Sequence, residues 1–247
     1  MSRYFIEVFY KGTQYAGFQV QHNAVTVQGE VERALGVFFR KEVGLTGSSR
    51  TDAGVHARQN YFHMDLEDEF EQRWVYNINS LLPVDIAVRR VVKVGDGAHC
   101  RFDALWREYS YLVYREKDPF VREFGYYFPY TMDIGAMRAA AEVVKKHGMF
   151  EAFSKRNTQV KTYLCSIMES VWEGGEGRIV YRVRSNRFLR GMVRGLVGTM
   201  LQVGRGKMGV DEFGKIIAGR DSSAVDFSVP GSGLCLERVE YGDGYFG

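Results

Sequence analysis

The chain has 247 residues, 33 of them Lys or Arg and 30 Asp or Glu, with 45% hydrophobic and 26% charged residues. That balance excludes a disordered segment, and a net charge of +3 does not by itself mark a nucleic-acid binder. Cys100, Cys165 and Cys235 stand far apart with no CxxC pair, which argues against a disulfide scaffold and a finger-type zinc site and fits a reducing compartment.

The opening MSRYFIEVFY has no apolar run followed by a small-residue cleavage site, so no signal peptide is read there. Residues 3–10 alternate instead. Tyr4, Ile6, Val8 and Tyr10 share one face while Arg3 and Glu7 mark the other, which predicts a strand. Thr26 is placed to cap a helix whose apolar stripe is Val27, Val31, Ala34, Leu35 and Phe38. Phe62, Met64 and Leu66 predict a second strand. Phe70, Trp74, Ile78 and Leu81 predict a second helix, and the β-branched run 86–94 a third strand.

The later part repeats this order. Residues 105–114 predict a strand with Leu105, Arg107, Tyr109, Tyr111 and Val113 on one face. Ile134, Met137, Ala141 and Val144 predict a helix. Residues 163–172 and 178–185 predict two strands joined by the turn Gly174-Gly175-Glu176-Gly177. Residues 187–203 read as one helix, and Asp211 as the cap of a shorter one with Phe213, Ile216 and Ile217. The apolar stretch 188–203 is interrupted by Arg190 and Arg194, too short and too charged to span a bilayer. The expectation is a cytoplasmic α+β protein of two halves, 1–104 and 105–247, with a cleft between them as the usual place for a site.

Charge is unevenly spread. Residues 62–71 hold five acids, and residues 178–210 hold eight bases and no acid. A basic run with Tyr181 and Phe188 inside it reads as a phosphate footprint, or as a solvated face. Arg187, Arg190 and Arg194 are three and four positions apart and share a stripe if the segment is helical. Arg194 lies among Val193, Leu196 and Val197, so its charge either finds a carboxylate, for which Asp52 is the candidate, or snorkels to solvent.

Residues 47–58, GSSRTDAGVHAR, form a polar Gly/Ser-rich loop. Asp52 lies there between Arg50 and Arg58, with the small residues Ala53 and Gly54 beside it. A carboxylate kept ionised in a poorly solvated loop is a nucleophile or base; the competing reading is a turn in which Asp52 bonds backbone amides. His56 and His63 match no helical zinc spacing, and His56 reads as structural. His22, His99 and His147 carry no signal. Gly204-Arg205-Gly206-Lys207-Met208-Gly209 fits GxGxxG but follows a predicted helix rather than a strand. It therefore reads as a helix stop with glycines at positive φ. Tyr109 is a core aromatic or a platform for an unstacked base.

The loop Arg50-Thr51-Asp52-Ala53-Gly54-Val55-His56-Ala57 resembles the signature of the TruA family of tRNA pseudouridine synthases. Four further segments follow in the family's order. They are 10–19 (YKGTQYAGFQ), 79–86 (NSLLPVDI), Arg101-Phe102-Asp103-Ala104 with Arg107-x-Tyr109, and 188–194 (FLRGMVR). One departure is SVPGSGLCL at 228–236, where the family has an Ala-Pro-rich segment before GLxL. The resemblance implies an isomerase of uridines 38, 39 or 40 in the anticodon stem-loop of tRNA. It also implies two ferredoxin-like halves and a homodimer. It implies no metal and no small-molecule cofactor, because the reaction has no redox change, hydrolysis or group donor. By the same resemblance Asp52 is catalytic and Tyr109 stacks on the target uracil, with Tyr111 on the same face as the alternative. Arg194 pairs with Asp52 and Arg50 assists base flipping; Arg187 and Arg190 are expected to bind the RNA as part of the basic run. Attack of Asp52 on the base, attack on the sugar, and proton abstraction from the sugar all remain open.

Overall fold

The structure, a computed structural model, describes residues 1–155, 160–175 and 177–246. In chain order its elements are β1 (Ser2–Tyr10), α1 (Val27–Phe39), β2 (Thr46–Gly47), β3 (His56–Leu66), α2 (Trp74–Leu81), β4 (Ile86–Val94) and β5 (Trp106–Tyr114). These are followed by β6 (Tyr126–Tyr127), α3 (Ile134–Lys145), β7 (Ile167–Gly174), β8 (Arg178–Ser185), α4 (Met192–Gly204), α5 (Val210–Ala218) and β9 (Leu234–Glu240). The architecture is mixed α+β with mostly antiparallel strands. The chain divides into two compact units, Met1–Leu105 with Cys235–Gly247, and Trp106–Leu234. No helix among the described residues is long and apolar enough to cross a membrane.

In the first unit β1 lies between β4 and β3, antiparallel to both, and β9 joins β3 in parallel through His56–Cys235 and Ala57–Leu236. A parallel partner cannot come from a hairpin, so β9 arrives from the far end of the chain. Thr26 caps α1 as expected, its hydroxyl accepting the Gly29 N–H at 3.2 Å. Val27, Val31, Ala34 and Leu35 are the buried face of that helix. α2 packs on α1 and β4. It starts at Trp74, so Phe70 precedes the helix that its spacing predicts.

Glu7 lies on the second face of β1, as the alternation predicts, and that face too is buried: Glu7 is only 3% exposed. The second face of β1 is covered by the C-terminal aromatics: Phe5 meets Tyr241, Tyr245 and Phe246 at ring separations of 5.4–6.0 Å. Alternation signals one dry face; here both are dry, and Glu7 is tolerated because Arg89 and Arg90 reach its two oxygens at 2.9 and 2.7 Å.

In the second unit β8 lies between β5 and β7, antiparallel to both, and β6 pairs with β5 in parallel. Helix α3 packs on β7, α4 and α5. Arg107, Tyr109, Tyr111 and Val113 form the buried face of β5, and Leu105 is exposed just before the strand. Of the predicted turn at 174–177, Glu176 lies outside the described residues.

Two helix boundaries differ from expectation. The helix predicted over 187–203 begins at Met192, because Gly191 sits at φ +76 and breaks the run. Arg187 and Arg190 therefore precede α4 and share no helix stripe with Arg194. Asp211 does not cap α5: the cap position is Gly209, and Asp211 lies in the first turn, where a negative charge suits the helix dipole. The GxGxxG segment is a helix stop as expected. Gly206 takes φ +69, and its N–H reaches the Val203 carbonyl at 2.9 Å.

Candidate active site

The Asp52 loop rests on a buried polar floor. Ser48, Ser49, Thr51, His56 and Asn60 are all buried. Such groups are expensive unless bonded, and each finds a partner. The Ser48 hydroxyl donates to Asn60 Oδ1 at 3.0 Å. Asn60 Nδ2 donates to the Ser49 carbonyl at 2.9 Å and to the Tyr10 oxygen at 3.2 Å. Tyr10 and Thr51 hydroxyls lie 2.8 Å apart. His56 is structural, as its spacing suggests: its Nδ1 accepts the Gly12 N–H at 3.1 Å.

Residues 11–18 wrap the same loop from the side. Phe18 N–H donates to the Thr51 carbonyl at 3.0 Å, and Gly54 N–H to the Tyr15 carbonyl at 3.3 Å. The glycines of this segment are there for contact. A Cβ on Gly12 would stand 2.0 Å from the Val55 carbonyl oxygen. Gly17, at φ +119, would put one 3.0 Å from the Thr51 oxygen. Phe18 stacks on Phe62 with ring centres 4.5 Å apart.

Asp85 ties in the segment from the other side. Tyr15 donates its phenol proton to Asp85 Oδ1 at 2.5 Å, and Lys11 N–H reaches the Asp85 carbonyl at 2.9 Å. Burial, and then the Asp85 carboxylate, push the Tyr15 phenol above its ordinary range, so it remains a donor. Asn79 in turn brackets the Val88 backbone, donating at 2.8 Å and accepting at 2.7 Å.

On this base Asp52 opens a turn closed by Val55 N–H to the Asp52 carbonyl at 3.2 Å. Its side chain is half-buried, and Arg50, Ala53 and Arg58 beside it are exposed. A carboxylate held on a rigid floor at the surface of its unit is placed to meet a large ligand.

The other predicted site residues belong to the second unit. Tyr109 is 8% exposed and meets Phe188 edge-on at 5.1 Å. Arg107 donates to the Asn186 carbonyl at 3.0 Å, so residues 186–188 lie along the same face of β5. Tyr111 is fully buried and donates to the Pro230 carbonyl at 2.8 Å. Its ring also lies against Gly233, where a Cβ would stand 2.5 Å away. That ring is committed to the core.

Arg187 is half-buried and Arg190 exposed, while the Arg190 carbonyl accepts Lys155 N–H at 3.0 Å. Arg194, half-buried in the first turns of α4, donates from Nε to the Val229 carbonyl at 2.8 Å and from Nη2 to the Phe227 carbonyl at 3.4 Å. That segment is held on α4 independently: Gln202 donates to Asp226 at 2.8 Å, and Asp226 N–H to Thr199 Oγ1 at 3.1 Å.

The basic run is less uniform than its composition. Arg178 pairs with Asp118 at 2.5 Å and Arg182 with Glu173 at 2.7 Å, while Arg184 pairs with both Glu108 and Glu169. These strand arginines are partly neutralised. Arg205 stacks on Tyr130 at 4.0 Å.

A family model described as tRNA pseudouridine synthase matches residues 147–242, the stretch that holds Arg187, Arg190 and Arg194. Curated relatives cover Asp52 and Tyr109 as well. The tRNA pseudouridine synthase A of Bacteroides thetaiotaomicron is 43% identical over 100% of this chain and 93% of its own length. That of Parabacteroides distasonis is 43% identical over 100% and 98%. That of Staphylococcus saprophyticus is 37% identical over 96% and 90%.

Proposed function

This chain belongs to the tRNA pseudouridine synthase family, and on that footing we propose that it isomerises uridine to pseudouridine at positions 38, 39 or 40 of the tRNA anticodon stem-loop. The observation that carries the reading is the half-buried Asp52 held over a fully hydrogen-bonded floor. In the reaction the bond from uracil N1 to the sugar breaks and uracil turns in place. C5 then bonds to the sugar, N1 ends protonated, and the C5 hydrogen leaves to solvent. Atoms balance without a group donor or a redox partner.

In this reading the first unit, Met1–Leu105 with Cys235–Gly247 rather than the expected 1–104, carries Asp52 as the catalytic residue. The second, Trp106–Leu234 rather than 105–247, carries Tyr109, which stacks on the target uracil, and Arg194, which pairs with Asp52. Arg50 assists flipping and takes the place of the base in the stem, and Arg187 and Arg190 hold phosphates. Each half is ferredoxin-like. The strand orders β4-β1-β3 and β5-β8-β7, with α1 and α2 between strands of the first and α3, α4 and α5 in the second, support that assignment. The enzyme acts in the cytoplasm as a homodimer.

Tritium release from tRNA labelled at uridine C5 tests the reading. The wild type releases tritium and Asp52→Asn does not, while both bind tRNA. Tight binding without release by the wild type makes the chain a binding module, and free uracil makes it a glycosidase. Either result rejects the proposal.

A further inference from the structure

His63 on β3 meets two residues of the loop that follows β4. Its Nδ1 lies 3.3 Å from Cys100 Sγ, and its ring meets the His99 ring edge-on at 4.7 Å. The ligand atoms of His63, His99 and Cys100 all lie within 4.8 Å of one another. None of the three takes part in the chemistry proposed above. The linear spacing conceals the group, because His63 lies on β3 while the adjacent pair His99-Cys100 follows β4.

The dimensions fit a small divalent ion. Bonds of about 2.0 Å to nitrogen and 2.3 Å to sulfur place tetrahedral ligand atoms roughly 3.3–3.7 Å apart. The His63–Cys100 separation already falls there, and a ring nitrogen of the half-exposed His99 lies within 4.8 Å of both other ligand atoms. The contacts holding the cluster otherwise are weak. One Nδ1 lone pair faces both the Cys100 N–H and the Cys100 thiol, each at 3.3 Å. The Cys100 thiol donates to the Thr46 carbonyl at 3.1 Å. The loop is anchored around the group: the His63 ring stacks on Phe5, Asp103 accepts the His99 backbone N–H at 2.8 Å and the Tyr245 hydroxyl at 2.6 Å, and His99 Nδ1 accepts the Arg101 N–H at 3.2 Å. A ligating loop anchored by such outer bonds is the usual support of a metal centre.

We propose that His63, His99 and Cys100 bind one divalent cation of the zinc class. Two imidazoles and a thiolate are a borderline-soft set that favours zinc over magnesium or calcium. On binding, a metal–sulfur bond forms and the thiol proton leaves to solvent, with no change of oxidation state. With three protein ligands, water would complete a four-coordinate shell. The ion clips the loop bearing Arg101-Phe102-Asp103-Ala104 to β3.

The test is titration of the reduced, chelator-treated full-length protein with Co2+ alone, reading the thiolate-to-cobalt charge-transfer band, then displacement by Zn2+. The expected result is a band saturating at one equivalent per chain and removed by zinc. Cys100→Ser abolishes it, Cys165→Ser and Cys235→Ser leave it, and His99→Asn weakens affinity about tenfold or more. Far-UV circular dichroism checks each fold. His99, being half-exposed, decides the matter where Cys100→Ser does not fold. A wild type without the band overturns the proposal, as does a band that persists in Cys100→Ser, follows another cysteine, or ignores His99→Asn.

Discussion

Tyr10 and Thr51 meet hydroxyl to hydroxyl at 2.8 Å beneath the loop that carries Asp52. Asn60 Nδ2 donates to the same Tyr10 oxygen at 3.2 Å. Tyr10→Phe leaves the Asn60 amide and the Thr51 oxygen buried with one partner fewer. We expect a loss of about 1–3 kcal/mol in urea denaturation. We also expect kcat for tritium release to fall roughly tenfold, since the floor positions the loop that bears Asp52. Full activity in Tyr10→Phe would falsify the role given to the floor.

The side wall makes a sharper prediction. Gly12→Ala drives a methyl to 2.0 Å from the Val55 oxygen, a backbone atom that cannot swing aside, so the loop must move. Both Gly12→Ala and Gly17→Ala should lose more than about 2 kcal/mol of stability and most of the activity. Gly44→Ala, with nothing within 4 Å of the added carbon, is the control and should stay within about 0.5 kcal/mol. Equal behaviour of the three variants would remove the contact argument.

These residues show what linear reading supplies. The β-α-β-α-β order of the first unit follows from periodicity, and the cap at Thr26 from residue type. The Asp52 loop is visible as a polar Gly/Ser run, and the spaced Tyr and Gly residues of 10–18 are visible as a motif. Their purpose is not, because Tyr10 reaches Thr51 and Tyr15 reaches Asp85 across long stretches of chain. Nor is the return of β9 to β3, which seats Tyr241, Tyr245 and Phe246 on the second face of β1. The helix start at Met192 turned on a single glycine at positive φ, against a hydrophobic pattern that ran through it.

Glu7 gives a pH dependence with a definite sign. Burial alone would raise its carboxyl, but hydrogen bonds from Arg90, Gln59 and Tyr61 outweigh that and hold it below the ordinary value. As pH falls, the unfolded chain therefore takes up this proton first. The contribution of Glu7 is whole above its ordinary value of 4.5 and declines as pH drops through the lower folded value. Glu7→Gln should cost about 2–3 kcal/mol at neutral pH, and the gap to wild type should narrow below pH 4.5. Urea midpoints across that range measure it; a gap that is constant with pH contradicts the account.

Tyr109 and Tyr111 should separate by readout. Tyr111→Phe loses the bond to the Pro230 carbonyl inside the core, so about 1 kcal/mol of stability goes while turnover holds. Tyr109→Phe keeps a ring and keeps activity. Tyr109→Leu removes the stacking surface, worth about 1–3 kcal/mol per base, and should lower kcat/KM roughly tenfold to a hundredfold without a matching loss of stability. If Tyr111→Phe were the variant that lost turnover, the platform would be the deeper ring.

The ion pairs on β8 sort the basic run into two kinds of arginine. Arg182 is already met by Glu173, whereas Arg190 is exposed on the segment before α4. Counterion release makes the slope of log affinity against log salt a count of phosphate contacts. Arg190→Glu should weaken tRNA binding and flatten that slope by about one, with the urea midpoint unchanged. Arg182→Gln should leave the slope as it is, because its charge is spent within the sheet. Filter binding of tRNA at several salt concentrations decides it. Equal slopes for the two variants would place the phosphates on another face.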